Sequence, residues 1–247
     1  MTVIERVTPS ASRLLAPNPS PMTLDGTNTW ILRDPSQDSC VVVDPGPLDD
    51  GHLDRIVAAG PVALIVLTHS HLDHSEAAPR LAELTGAPIV ARPDLEPGRQ
   101  QAVAGVEWLT ILTPGHSSDS VCLLLESDRA LLTGDTILGR GTTVVAHPDG
   151  RLADYLDSLH RLRDLADTEV DTLLPGHGPV LENPLPVLDF YLAHRRERLH
   201  QVRAAVAAGA ATAKDVVRRV YADVDPALWH AAELSVQAQL NYLATHP

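Results

Sequence analysis

His69, His71, Asp73 and His74 fall within six consecutive positions, His69-Ser70-His71-Leu72-Asp73-His74. Imidazole and carboxylate are the ligand set that suits divalent transition metals such as zinc. The run Ala63 to Thr68 before them is short and apolar and follows the turn signal Gly60-Pro61, so it reads as a buried strand. Side chains alternate along a strand, so His69 and His71 would share a face. A helix starting near Asp73 would splay Asp73 and His74 apart. A strand giving way to a loop is therefore expected to aim all four into one volume.

Three later stretches repeat the form: a strand end, a small residue, then a ligand type. They are Thr113-Pro114-Gly115-His116, Thr133-Gly134-Asp135-Thr136 and Pro175-Gly176-His177-Gly178-Pro179. Glycine before each ligand lets the backbone turn sharply or approach closely. A Pro-Gly-His turn by itself is usually a solvent-exposed loop. The ordered set, HxHxDH followed by His, Asp and His, is what points to a metal site.

The elements that must position these residues can be read in order. Prolines at 9, 17, 19 and 21 confine Met1 to Pro21 to an edge strand or loop. Thr27 to Leu32 and Cys40 to Val43 read as a hairpin, ended by Asp44-Pro45-Gly46. A helix over about 49–59 closes at Gly60, and another over 75–85 ends at Gly86. Strands follow at 89–91, 106–112, 120–125 and 130–133. Leu152, Leu156, Leu159 and Leu162 recur at helical spacing, with Asp149 as the expected N-cap. A strand at 172–174 precedes a long Arg-rich helix over about 188–208, and helices are expected at 215–221 and 226–244. Two blocks of strands, each followed by helices, predict an α/β fold. Its architecture would be an αββα sandwich with a small helical piece after it. The expected division is 1–208 for the sandwich and 209–247 for the helical piece.

Composition narrows the function. The chain has 247 residues, a hydrophobic fraction of 44% and a formal net charge of −13. From His194 onward there are seven Lys and Arg against five Asp and Glu. The totals of 19 and 32 therefore leave 12 against 27, or −15, for the rest. An acidic body disfavours nucleic acid as a generic partner, and an aromatic fraction of 3% offers few rings for base stacking. No apolar run is long enough for a transmembrane helix, and Met1 to Met22 has no apolar signal-peptide core. Cys40 and Cys122 lie in apolar runs and read as core thiols of a reducing compartment, so a cytoplasmic location and no membrane partner are expected.

The ordered ligand set resembles that of metallo-β-lactamase-fold hydrolases over roughly residues 15–205. The resemblance implies that His69, His71 and His116 hold one metal and that Asp73, His74 and His177 hold a second, with Asp135 bridging. The implied cofactor is two Zn2+, with Fe or Mn also compatible with these ligands. Two metals about 3.5–4 Å apart can hold a bridging hydroxide, because bound water falls to a pKa of about 7. Asp73 and Asp135 are then the implied catalytic carboxylates; Asp73 and His177 would orient water or pass a proton to the leaving group. Thr142, Thr143 and His147 follow the Gly139 to Thr143 loop and are candidate substrate contacts.

A closer resemblance is to the β-lactamase-like protein 2 group, whose animal members are single-strand endoribonucleases. It is carried by Met22-Thr23-Leu24-Asp25-Gly26-Thr27-Asn28-Thr29-Trp30, by Gly134 to Thr143, by Pro175 to Val180 and by Tyr191-Leu192-Ala193-His194-Arg195. That group ends in a small winged-helix-like domain, which Thr212 to Tyr242 resembles. Asp135 departs from the lactamase pattern of Cys or Ser. The 42 positions between Asp135 and His177 leave no room for the inserted domain of the β-CASP nucleic-acid enzymes.

Three functions follow. A small ester or thioester substrate fits the charge, and a homodimer is possible. Single-stranded RNA fits the closer resemblance but is disfavoured by charge. A nucleic-acid-binding module would grip through Arg195, Arg196, Arg198, Arg203, Arg218 and Arg219; a solvated helix face is the plainer account of those arginines.

Overall fold

The computed structural model describes residues 4–246. Its elements fall into two compact units. Of the described residues, the first comprises 4–112, 119–141 and 169–182; the second comprises 113–118, 142–168 and 183–246.

The first unit carries all twelve strands found among the described residues. These are β1 (Glu5–Arg6), β2 (Ala11–Leu15), β3 (Asn28–Leu32), β4 (Cys40–Val43), β5 (Val62–Val66), β6 (Ile89–Val90), β7 (Gln100–Val103), β8 (Val106–Leu112), β9 (Val121–Leu125), β10 (Ala130–Gly134), β11 (Thr172–Pro175) and β12 (Leu181–Glu182). One sheet has the order β1-β2-β3-β4-β5-β6 and the other β12-β11-β10-β9-β8-β7. Each is mixed. β4, β5 and β6 run parallel, as do β10 and β11, and the remaining pairs are antiparallel.

Alternation along the strands sorts the apolar residues into two layers. Trp30, Leu32, Val41, Val43, Leu64 and Val66 of the first sheet face Trp108, Val121, Leu123, Leu125, Leu132 and Leu174 of the second in one buried core. On the far side of the first sheet, Ile31, Cys40, Val42 and Ile65 pack against Leu53 and Ile56 of α1 (Asp50–Ala58). Ala78 and Leu81 of α3 (Ala78–Thr85) complete that layer. α2 (Leu72–Ser75) is a single turn between β5 and α3.

The second unit is helical. α4 (Leu152–Ala166) and α5 (Pro184–Ala207) are joined by the stacking of Arg195 on the Tyr155 ring, 4.9 Å from its centroid, and by an Arg163–Asp189 ion pair at 2.6 Å. α6 (Ala213–Val220) starts at a capping box, in which Thr212 Oγ1 accepts from Asp215 N and the Asp215 side chain accepts from Thr212 N. Val216 and Val217 of α6 pack with Val202 and Ala205 of α5 and with Val236 of α7 (Trp229–Thr245).

Three local expectations change. Asp149 does not cap α4: its carboxylate accepts from Ser118 N at 3.1 Å, and Arg151 stands at the N-cap position without a side-chain bond. β7 was not expected, because its sequence Gln-Gln-Ala-Val alternates between exposed and half-buried rather than apolar and polar. β12 is two residues long and carries no pattern.

Candidate metal centre

The predicted ligands of the first unit sit just after strand ends or, for Asp73 and His74, on the helical turn α2. His69 and His71 follow β5, Asp135 follows β10 and His177 follows β11. Because β10 and β11 run parallel, their ends lie at one edge, and Gly176 N donates to Gly134 O at 2.8 Å across it. The first sheet reaches the same edge through Asn28. Its N donates to Gly176 O at 2.7 Å, and its Nδ2 donates to Pro175 O and Gly178 O at 2.9 and 2.8 Å. Thr27 Oγ1 donates to Asp73 O at 2.9 Å. The Thr27-Asn28 pair thus braces both the His177 turn and the HxHxDH turn.

Asp73, His74, Asp135 and His177 each present one donor atom to a common point, all within 4.8 Å of one another. Asp73 and His74 do not splay apart, although both lie on the helical turn α2: His74 Nε2 is 3.7 Å from Asp73 Oδ2. His177 Nε2 is 3.1 Å from His74 Nε2 and 3.1 Å from Asp73 Oδ2. Asp135 Oδ1 is 3.3 Å from His74 Nε2, and Asp135 Oδ2 is 3.5 Å from His177 Nε2. Asp73 is the most solvent-open of the four, its side chain 31% exposed.

The outer partners fix which nitrogen of each ring faces inward. His74 Nδ1 donates to Asp44 Oδ2 at 2.9 Å, and His177 Nδ1 donates to Gly26 O at 3.2 Å. Both Nε2 atoms then carry lone pairs aimed at each other, which is repulsive unless a cation or proton lies between them. Ligands at about 2.0–2.1 Å from a tetrahedral zinc are separated by roughly 3.3 Å, close to the spacings here. Gly176 supplies the room. A Cβ there would lie 2.7 Å from Asp135 Oδ1 and 2.7 Å from His74 Cε1. The four residues fit a metal ion.

Without a metal, protons take its place. Burial opposes a charge on His74, but the Asp135 and Asp44 carboxylates outweigh it and hold its pKa well above the ordinary imidazole value. Burial likewise opposes charge on His177, and Asp135 and Asp73 push it up to about 9. Burial would raise Asp135, yet His74 and His177 hold it well below the usual carboxylate range. The cluster is built to stabilise positive charge between its carboxylates.

His69 and His71 meet through His69 Nε2 and His71 Nδ1, 3.1 Å apart. His69 Nδ1 is 3.1 Å from Thr68 Oγ1, whose hydrogen goes to Asp44 Oδ2 at 2.7 Å. His69 therefore donates through Nδ1 and offers Nε2. His116 belongs to the second unit, where its Nδ1 donates to Val144 O at 2.7 Å and leaves the lone pair on Nε2. Thr142, Thr143 and His147 are also in the second unit. Thr143 is buried; His147 approaches Asn241 Nδ2 at 3.1 Å and lines a cavity of ≈ 420 Å³ with Arg151, Asn241 and Tyr242.

Asp44 and His52 were not singled out from the sequence. Asp44 directly follows β4 with φ +52°, in the left-handed region that Asp tolerates better than most residues. Its position in Asp-Pro-Gly reads as an ordinary turn, and the only available signal was its place at the end of a parallel strand beside β5. His52 Nε2 is 2.8 Å from Thr29 Oγ1, which donates to Asp44 O at 2.8 Å, so it supports Asp44 from behind.

A sandwich of two mixed sheets with ligands at one set of strand ends is a fold shared with known proteins. The family profile described as the metallo-beta-lactamase superfamily matches residues 22–101 and 91–177. A second, the beta-lactamase associated winged helix domain, matches residues 212–246. The chain is 32% identical over 262 residues to the beta-lactamase-like protein 2 homolog of Caenorhabditis elegans, covering 97% of this chain and 86% of that one. It is also 32% identical over 244 residues to an atrochrysone carboxyl ACP thioesterase of Aspergillus fumigatus, covering 88% and 75%. A beta-lactamase domain protein from Burkholderia ambifaria has the same fold, with a TM-score of 0.79 at 23% identity over 98% of this chain and 88% of that one. The chain belongs to the metallo-beta-lactamase superfamily, whose members are generally hydrolases, and the expected αββα fold is theirs. No helix among the described residues is long and apolar enough to cross a membrane.

Proposed function

We propose that the protein is a dinuclear metal hydrolase acting on a small thioester or ester. The observation that carries it is the convergence of Asp73, His74, Asp135 and His177, with both imidazoles oriented by outer hydrogen bonds. In this reading Asp73, His74 and His177 hold one ion, His69, His71 and His116 hold the other, and Asp135 is shared. Zinc is the proposed metal, with iron or manganese compatible with the same donors. When bound, such ions supply Lewis acidity and lower the pKa of water at the site.

The chain's own residues do the rest. Asp73, the more exposed of the cluster's two carboxylates, orients the attacking water and accepts its proton at a carboxylate oxygen. Water adds to the carbonyl carbon, the carbon–sulfur bond breaks, and the leaving thiolate takes the proton back from Asp73. His177, 3.1 Å from Asp73 Oδ2, holds that carboxylate in place.

A small, partly apolar substrate is supported by three features. The relatives include a thioesterase. Leu72 between the ligands is 69% exposed, and Leu48 and Met22 on nearby loops are 55% and 47% exposed. Each of the six arginines weighed for nucleic acid engages the protein itself. Arg195 is buried against Tyr155 and Thr143 O, Arg198 stacks on Tyr221, and Arg219 donates to Ala205 O and Ala208 O. Arg196 donates to Leu192 O, Arg203 to His246 O, and Arg218 faces Asp215. A single-strand endoribonuclease is the second reading, favoured by the likeness to the beta-lactamase-like protein 2 homolog. We also propose a cytoplasmic location, supported by the buried free thiols of Cys40 and Cys122, and a small winged-helix-like helical domain at 209–247, supported by the family match over 212–246.

The test is metal analysis together with an acyl-thioester panel on metal-reconstituted protein. Two ions per chain and thioester turnover abolished by Asp135→Ala are expected. One ion or none at saturation, or near-wild-type turnover by that variant, would overturn the reading.

A further inference from the structure

Three consecutive residues of the second unit are each tied down by their backbone. Thr143 O accepts from Arg195 Nη2 of α5. Val144 O accepts from His116 Nδ1 at 2.7 Å. Val145 N donates to Ser235 Oγ of α7, and Val145 O accepts from the same hydroxyl, each at 3.3 Å. The strap continues to His147, whose N donates to Leu234 O at 3.3 Å. Thr143, Val145, Ser235 and Arg195 are all buried.

Arg195 is the unusual member. It is 5% exposed, no ion pair with a carboxylate is found for it among the described residues, and its Nε is buried without a hydrogen-bond partner. A buried cation without a counter-charge opposes folding, and an apolar side chain over Tyr155 would serve stability better. Its guanidinium does one specific thing: it holds the Thr143 carbonyl. That fixes the adjoining peptide and so the direction of the Val144 carbonyl. On the other side of His116, Gly115 has φ +141°, and a Cβ there would lie 2.3 Å from Tyr155 Cα. Arg195 stacks on the ring of that same Tyr155. The turn carrying His116 and the acceptor for its Nδ1 are thus both referenced to one arginine.

We propose that Arg195 and Ser235 are positioning residues that fix the tautomer and ring orientation of His116. This rests on the reading above that His116 is a metal ligand. The Val144 carbonyl can only accept, so it holds the proton on Nδ1 and leaves Nε2 as the ligand atom. Such outer partners tune ligand basicity and orientation, and losing one typically lowers metal affinity by about 10–100-fold. Through Ser235 the winged-helix-like segment therefore bears on the ligand state of His116.

The experiment uses the full-length chain with Ser235→Ala, Ser235→Thr, Arg195→Met, Arg195→Lys and His116→Ala. Zinc affinity is read by chelator competition, and the His116 tautomer by 15N chemical shifts of the metal-free protein. Ser235→Ala is expected to weaken one of the two zinc equivalents by about 10-fold and to mix the His116 tautomers, with Ser235→Thr restoring both. Arg195→Met should weaken the same equivalent further, and Arg195→Lys should recover part of it. Should Arg195→Met not fold, the Ser235 pair decides alone. If His116→Ala loses one zinc while Ser235→Ala keeps wild-type affinity and a single tautomer, the positioning role is overturned and the ligand assignment stands. If His116→Ala keeps both zinc ions at wild-type affinity, the ligand assignment itself has failed, and this inference with it.

Discussion

Asp44 and His74 share a hydrogen bond of 2.9 Å in which the buried ring donates through Nδ1 to a buried carboxylate. The same carboxylate accepts from Thr68 N at 2.8 Å and Thr68 Oγ1 at 2.7 Å, and Thr68 Oγ1 in turn faces His69 Nδ1. One side chain that offers no ligand atom of its own thus fixes the tautomer of His74 directly and of His69 through one hydroxyl.

Asp44→Asn tests that arrangement. The amide can place only one oxygen toward these donors, and its NH2 would confront either His74 Nδ1–H or the Thr68 donors. Metal affinity should fall by about 10–100-fold, as for other outer partners of metal-bound histidines. Chelator competition measures it, and an unchanged affinity would remove Asp44 from the account.

Gly176→Ala tests the space in the cluster. The new methyl would sit 2.7 Å from Asp135 Oδ1 and from His74 Cε1, and 3.1 Å from Gly134 C, so the ligands or the turn must move. Overpacking of this kind costs about 1–3 kcal/mol. Metal content at saturation is expected to fall while the apolar core stays folded. A variant with full metal content and unchanged Tm would mean that the cluster is looser than these distances imply.

Much of the centre is legible from the residue types alone: HxHxDH, then His116, Asp135 and His177, each after a strand and a small residue. Their strands are apolar runs bounded by turn signals, which is the pattern that local sequence reports best. What escapes is whatever depends on a partner distant in sequence. Asp44 lies 30 positions before the His74 it orients, inside a tripeptide that reads as a turn. Asp149 has the right chemistry to cap α4, but the Ser118 amide claims its carboxylate. Arg195 sits in a run of basic residues that looks like a solvated face. The ring of Tyr155 and the Thr143 carbonyl bury it, and neither is visible from its neighbours in the chain.

The pH dependence of stability should carry a signature of His52. Burial lowers its pKa to about 4, with Arg55 adding to the effect, and its Nδ1 has no hydrogen-bond partner to receive a second proton. The folded pKa lies below the unfolded value of 6.5, so the unfolded chain binds more protons between pH 6.5 and 4. Stability is therefore lost as pH falls through that window and is unaffected by this group above it. The full shift corresponds to about 3 kcal/mol. His52→Gln, compared with wild type by urea denaturation at pH 7 and pH 4.5, should lose less stability on acidification. Parallel losses in the two proteins would contradict the assignment. His194, also lowered to about 4 by burial and by Arg195 and Arg198, is common to both and cancels in the difference.

The two substrate classes separate by salt. An RNA strand held by arginine–phosphate contacts releases counterions, so its affinity falls with a log–log slope of about −0.7 per contact. The arginines that could make those contacts are largely engaged: Arg195 is buried, Arg198 is stacked on Tyr221, and Arg219 is bonded to two carbonyls of α5's last turn and cap. The formal charge of −13 repels a polyanion further. A small thioester carries little charge, and the exposed Leu72 and Leu48 near the ligands would meet its acyl portion whatever the ionic strength. The expected result is thioester turnover whose KM changes little between 20 and 150 mM salt, both values being about the low and physiological limits for screening. RNA cleavage should be weak at either. Metal-dependent RNA cutting with a steep salt slope, flattened by Arg196→Ala/Arg203→Ala, would make the ribonuclease the better reading. It would also require the exposed arginines of α5, rather than the apolar loops, to be the surface that meets substrate.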